Sequence, residues 1–252
     1  MSRSISAGVF GAVIGLVAAI VGVVWTLQLY NVNNMHDSAV LFQNMVYINF
    51  NMAIVIGGFQ SMALNNAMSM FTGLTVILAL LLVSGLILVG VGLYGIGQVA
   101  GSAAGTVSLV LGTLGAILSA ILLVMGVLAG GVTHTLASLW MFSNLHMVLM
   151  YAPPVVRLLG LHIVQGVPTV STSLLWAGLL VAGVVTLLFG VTFLLEREVV
   201  TSGSLAVATG VILIIAGIFL WTGVIAAWLG FILMFVSLIM AAILFFQSRE
   251  LA

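Results

Sequence analysis

Between Asp37 and Arg157 no residue of the chain carries a formal charge. No soluble domain tolerates such a run. About a quarter of an ordinary domain's residues are charged, and a folded surface in water must be largely polar. The rest of the chain follows suit. Arg3, Asp37, Arg157, Glu196, Arg197, Glu198, Arg249 and Glu250 are its only charged residues among 252, lysine is absent, and 64% of the residues are hydrophobic. Disorder is excluded for the opposite reason, because disordered chains are poor in apolar residues. The solvent for most of this chain is lipid.

Crossing roughly 30 Å of hydrocarbon takes about 20 apolar residues in a helix. Six stretches qualify: Ile5–Tyr30, Thr72–Val99, Thr106–Gly131, Ser173–Leu195, Ser204–Ala226 and Trp228–Phe246. The expected fold is therefore an all-α integral membrane protein with six transmembrane helices, treated as a single transmembrane domain over 1–252. Almost nothing joins the fifth and sixth stretches, so they form either a tight hairpin or one bent, over-long helix. Arg3 ahead of the first stretch gives it a signal peptide's outline. The apolar run is too long for that, and no small-residue cleavage site follows, so it is read as a retained span.

Two long connections separate the spans, Asn31–Phe71 and Val132–Thr172. Both are apolar with scattered Asn, Gln, Met and His. Met45–Leu64 and His134–Tyr151 read as helices, and backbone in lipid must satisfy its own hydrogen bonds. They are expected to lie in the interface, where Trp140, Phe142 and Tyr151 suit the depth. Should both cross fully, the count becomes eight. Pro153-Pro154 ends the second run.

Arg3, Arg197 and Arg249 fall on one side of the six-span arrangement and Arg157 on the other. The positive-inside rule then places both termini in the cytoplasm and both long connections outside, in a multi-pass protein of the cell membrane.

Shifting the sequence by 98 residues aligns His36 with His134, Met52 with Met150, and the run Leu81-Leu82-Val83 with Leu179-Leu180-Val181. It also pairs Gly85 with Gly183, Gly92 with Gly190, Gly105 with Gly203 and Gly112 with Gly210. This is read as a tandem two-span repeat, 36–131 and 134–226, each copy a long outer connection followed by two spans. Membrane helices associate through close backbone approach at small residues. Gly85, Gly92, Gly183, Gly190 and the spaced pairs Gly11/Gly15, Gly101/Gly105 and Gly126/Gly130 are accordingly read as packing positions.

Few residues of the chain suggest chemistry. Gly90-Val-Gly-Leu-Tyr-Gly95 matches the dinucleotide pattern G-x-G-x-x-G, but that motif needs a strand before it and a helix after it. Within a membrane span it reads as a chance match. There is no cysteine, which excludes disulfides, thiolate metal sites and iron–sulfur clusters. Zero net charge gives no reason to expect nucleic acid as a partner.

The candidates for ligand binding are His36, His134, His146 and His162, all in the two long connections. Imidazole binds haem and metals. His36 and His134, as repeat mates, are the pair a pseudo-two-fold axis would bring together, for haem b or for copper. Methionines gather in the same connections, Met35, Met45, Met52, Met62, Met68 and Met70 in the first and Met141, Met147 and Met150 in the second, and thioethers favour Cu(I). The plainer reading is that polar residues collect in connections because lipid excludes them. His134 and His146, twelve positions apart, would stand about 18 Å apart along one helix and share no ion there. Asp37 reads as a helix cap, or as a partner for Arg157 across the repeat axis; snorkelling is the alternative for Arg157. Glu196-Arg197-Glu198 reads as a solvated turn closing a span.

The leading expectation is a non-catalytic membrane subunit of a larger complex, respiratory or otherwise redox, whose partners are lipid and other membrane subunits. The alternatives are a haem- or copper-binding electron-transfer subunit and a passive channel or transporter built from two repeats.

Overall fold

A computed structural model describes the backbone of residues 2–46, 50–150, 172–222 and 224–249, and the side chains of 3–30, 69–128, 173–222 and 226–249. Among these residues the chain is all-α, in six helices: α1 (Ser2–Val46), α2 (Phe50–Ala100), α3 (Ala104–Met150), α4 (Thr172–Leu195), α5 (Gly203–Trp221) and α6 (Val224–Ser248). Each contains one stretch long and apolar enough to cross a membrane: Arg3–Tyr30, Ser69–Ala100, Ala104–Leu128, Ser173–Leu195, Gly203–Trp221 and Ala226–Ser248. The chain is a multi-pass helical membrane protein in contact with a lipid bilayer.

The first three helices run well past their spans. The expected helix Met45–Leu64 is divided: its first two residues close α1, and from Phe50 onward it opens α2. Most of the expected helix His134–Tyr151 is the last part of α3. No proline interrupts these runs, and a continuing helix keeps every backbone group bonded internally.

Two compact units result. The first comprises Met1–Leu27, Leu74–Val124 and Leu174–Ala252; the second comprises Gln28–Gly73 and Met125–Ser173. In the second unit Leu29 and Phe71 are fully buried, and the Gln28 amide nitrogen lies 3.5 Å from the Met70 sulfur.

In the first unit glycines decide which helices meet. A Cβ built on Gly8 would lie 2.8 Å from the Cα of Gly92, and one on Gly85 would lie 3.0 Å from the backbone nitrogen of Gly15, so α1 and α2 pack antiparallel, backbone to backbone. On α4 and α5, Gly183 meets Gly217 and Gly190 meets Gly210 in the same manner. The partnered glycines recur every seven residues, the spacing that keeps one seam facing its neighbour at the shallow crossing of left-handed helix pairs. The two glycine pairs that the 98-residue shift superposes therefore face different neighbours, α1 for Gly85 and Gly92, α5 for Gly183 and Gly190.

Glycine also receives large side chains. Phe245, Leu238 and Phe231 of α6, spaced by seven, sit on Gly8, Gly15 and Gly22 of α1. Phe189 of α4 sits on Gly112 of α3. Phe189, Phe193, Phe231 and Phe245 are all fully buried, as is Trp25.

The α2–α3 and α5–α6 turns are short and specified. Gly101 ends α2 at φ +66°, and the Ser102 N–H reaches back to the Gly97 carbonyl at 2.9 Å. This is the Schellman arrangement, which wants glycine at the left-handed position. Gly101 has open space beside it, so it serves the turn and not the helix seam read from its spacing to Gly105. Gly105 does pack, against the Leu93 carbonyl and Gly97. The α5–α6 connection is a hairpin, with Thr222 capping α5 and Gly230 letting α6 approach the Ala216 carbonyl.

Candidate functional site

His36, His134 and His146 fall on helical backbone of α1 and α3, but their side chains lie outside the described residues; His162 and Arg157 lie outside them altogether. The haem or copper pairing and the Asp37–Arg157 pair thus rest on residues not described. The described residues contain no group of three or more His, Asp or Glu able to hold a metal ion. Gly90–Gly95 is helical throughout, inside α2. Gly126 of α3 is buried, and the side-chain surroundings of Gly130 are outside the described residues.

The buried hydroxyls of the first unit are almost all satisfied. Thr186, Thr192 and Thr209 each bond the carbonyl four residues back, at 2.7–3.0 Å, and Thr26 and Ser237 the carbonyl three back, at 2.8 Å. Such bonds are the ordinary means of placing a hydroxyl in lipid. Others tie helices together. The Trp25 indole N–H donates to Thr75 Oγ1 at 2.7 Å, Ser119 donates to the Gly178 carbonyl at 2.7 Å, and Ser108 bonds Thr192.

Among the described residues, three buried oxygens have no partner: Glu196 Oε1, Gln247 Oε1 and Ser248 Oγ. All belong to the C-terminal ends of α4 and α6. The Glu196 N–H still bonds the Thr192 carbonyl at 2.9 Å, so the residue adds to the helical ladder before the turn begins. Its side chain stays on the inner face that carries Phe189, Thr192 and Phe193, and it is 2% exposed. Arg197 and Glu198, one and two positions on, are exposed. The solvated-turn reading therefore holds for these two and fails for Glu196. Its signal was present in the spacing: 189, 192, 193 and 196 follow the i, i+3, i+4, i+7 stripe of one helix face.

Ser248 is the last residue of α6. Phe193 and Phe245 pack with ring centroids 5.7 Å apart. Both helices run antiparallel to α5 and hence parallel to each other, and Glu196 and Ser248 each lie three residues beyond their phenylalanine. Three residues turn a helix by about 300°, so on these parallel helices both side chains swing about 60° in the same sense, to opposite sides of the Phe193–Phe245 contact. Ser248 is 3% exposed. Gln247 points about 160° away from Phe245.

Comparison of the chain with models of protein families, with curated proteins and with solved structures finds no match.

Proposed function

We propose that the chain is a non-catalytic subunit of a larger membrane assembly, in which the six-span bundle is scaffold. The observation that carries this reading is how the interior of the first unit is filled. Phe189, Phe231, Leu238 and Phe245 close onto glycines of facing helices, and neighbouring backbones touch at Gly183/Gly217 and Gly190/Gly210. A conduit needs a polar path, whereas these contacts fill the bundle with apolar side chains, and its hydroxyls are turned onto backbone carbonyls.

The outer faces support the same reading. Within the most apolar eighteen residues of each span, 28% are buried in α3 against 56% in α4. Leu111, Leu114, Leu118, Ile121, Met125 and Leu128 form a continuous exposed stripe along α3. Lipid or a neighbouring membrane helix would meet this stripe, and a subunit needs such a face. The arginine-bearing end, with Arg3, Arg197 and Arg249, is placed in the cytoplasm by the positive-inside rule.

Mild solubilisation of native membranes containing a tagged copy, followed by native electrophoresis and mass spectrometry, tests the proposal. The expected result is co-migration with another membrane protein at fixed stoichiometry. A monodisperse chain migrating alone overturns it.

A further inference from the structure

The geometry points to a fixed seat for a phospholipid bilayer on the first unit, with the headgroups of one leaflet at a row of tryptophans, Trp176, Trp221 and Trp228, and those of the other at a row of arginines, Arg3, Arg197 and Arg249.

Both rows follow from helix register. Phe193 of α4 and Phe245 of α6 pack with ring centroids 5.7 Å apart on parallel helices. Trp176 precedes Phe193 by 17 residues, and Trp228 precedes Phe245 by the same 17; Arg197 and Arg249 each follow their phenylalanine by four. The two tryptophans are therefore level with each other, as are the two arginines. Contacts at glycine extend both rows. Gly230 packs on Leu220, so Trp221, one residue beyond Leu220, is level with Trp228, two before Gly230, to within about 2 Å. Phe245 rests on Gly8, and Arg3, five residues before Gly8, reaches the level of Arg249 to within about 2 Å.

The surface between the rows is apolar. On α4 only Val184, Val191 and Leu195 are exposed there, on α5 only Val211, Ile215 and Ile218, and on α6 every exposed residue is Ile, Val or Phe. All three arginines of the row are exposed. Among the described residues every exposed tryptophan belongs to the opposite row, whereas Trp25 is fully buried.

Twenty-one residues separate the rows on α4 and again on α6. That is about 31 Å of helix, which matches the roughly 30 Å hydrocarbon core of a bilayer. Tryptophan's ring, apolar with one N–H, settles at headgroup depth. Arginine keeps its stem in apolar surroundings and its guanidinium among the headgroups. The equal spacing on α4 and α6 holds both helices at one depth. This seat involves the first unit alone and stands whether or not the chain has protein partners.

The test reconstitutes the purified full-length chain into phosphatidylcholine vesicles whose acyl chains carry bromine, a fluorescence quencher, near either the carbonyl end or the methyl end. The unaltered chain is compared with Trp176→Phe, Trp221→Phe and Trp228→Phe, so that the difference in emission isolates each ring. Each ring is expected to lose more emission to the shallow bromine than to the deep one. In unbrominated vesicles of graded acyl-chain length, Tm of the unaltered chain should be highest where the hydrocarbon is about 31 Å thick and fall on both sides. Stronger quenching of any of the three rings by the deep bromine, no quenching at either depth, or a Tm indifferent to chain length overturns the proposal. The chain-length series needs no substitution, so it decides even where a tryptophan variant fails to fold.

Discussion

Gly190 and Gly210 face each other reciprocally: a Cβ built on either would lie 2.6 Å from the other's carbonyl oxygen. Neither helix can accept even a methyl group without moving. Such approach replaces side-chain packing with backbone contact, including the weak Cα–H···O bonds common between membrane helices.

Gly190→Ala and Gly210→Ala should therefore each lower stability by about 1–3 kcal/mol, the usual cost of overpacking, despite a gain in helix propensity of up to about 1 kcal/mol. Gly73 is the control. It lies inside α2 with open space where its Cβ would be. Gly73→Ala should be neutral or stabilising by up to about 1 kcal/mol. Thermal unfolding in detergent measures all three, and equal effects at Gly190 and Gly73 would remove the seam from the account.

Phe231 rests on Gly22 and is fully buried. Phe231→Ala should cost about 3 kcal/mol through the cavity left between α1 and α6. Gly22→Ala should be destabilising from the opposite side of the same contact. The pair Phe231→Leu with Gly22→Ala should recover part of the loss, because the smaller knob leaves room for the methyl group. Unfolding midpoints of the singles and the double give the coupling directly.

The Trp25–Thr75 bond joins α1 to α2 at 2.7 Å inside the core. Interhelical bonds in membranes are worth on average about 0.6 kcal/mol. A double-mutant cycle with Trp25→Phe and Thr75→Val should return a coupling of about that size, and a value of zero would mean the bond is offset by other partners.

The native chain has no cysteine, so single cysteines report topology without background. Ser102→Cys, in the α2–α3 turn, should react with an impermeant maleimide only once the cytoplasmic face is opened. Thr222→Cys, at the opposite end, should react from outside. A reversed pattern would invert the orientation drawn from Arg3, Arg197 and Arg249.

Much of the architecture was legible in the residue order. The fourth span, Ser173–Leu195, has the same ends in sequence and structure, and the other first-four boundaries agree to within three residues. Hydrocarbon thickness sets how many apolar residues a span needs, so each span is readable in isolation. The break between the last two was less so: α5 ends at Trp221, five residues before the expected limit. Composition on either side of that break is the same, so no local pattern marks it. The extensions of α1 to Val46 and α3 to Met150 were likewise unreadable as continuations, because polar residues there resemble an interface.

What the sequence determined by itself was the solvent: its near-total lack of charge compels lipid and helices, since each follows from local free energies of transfer and backbone bonding. Tertiary structure alone decided which glycines meet, and that Glu196 turns inward. Glycine spacing says that a seam can exist, but not which neighbour fills it. A carboxylate at a helix end is solvated or buried according to the face on which its last turn leaves it. Both depend on helices distant in sequence, whose positions no local pattern encodes.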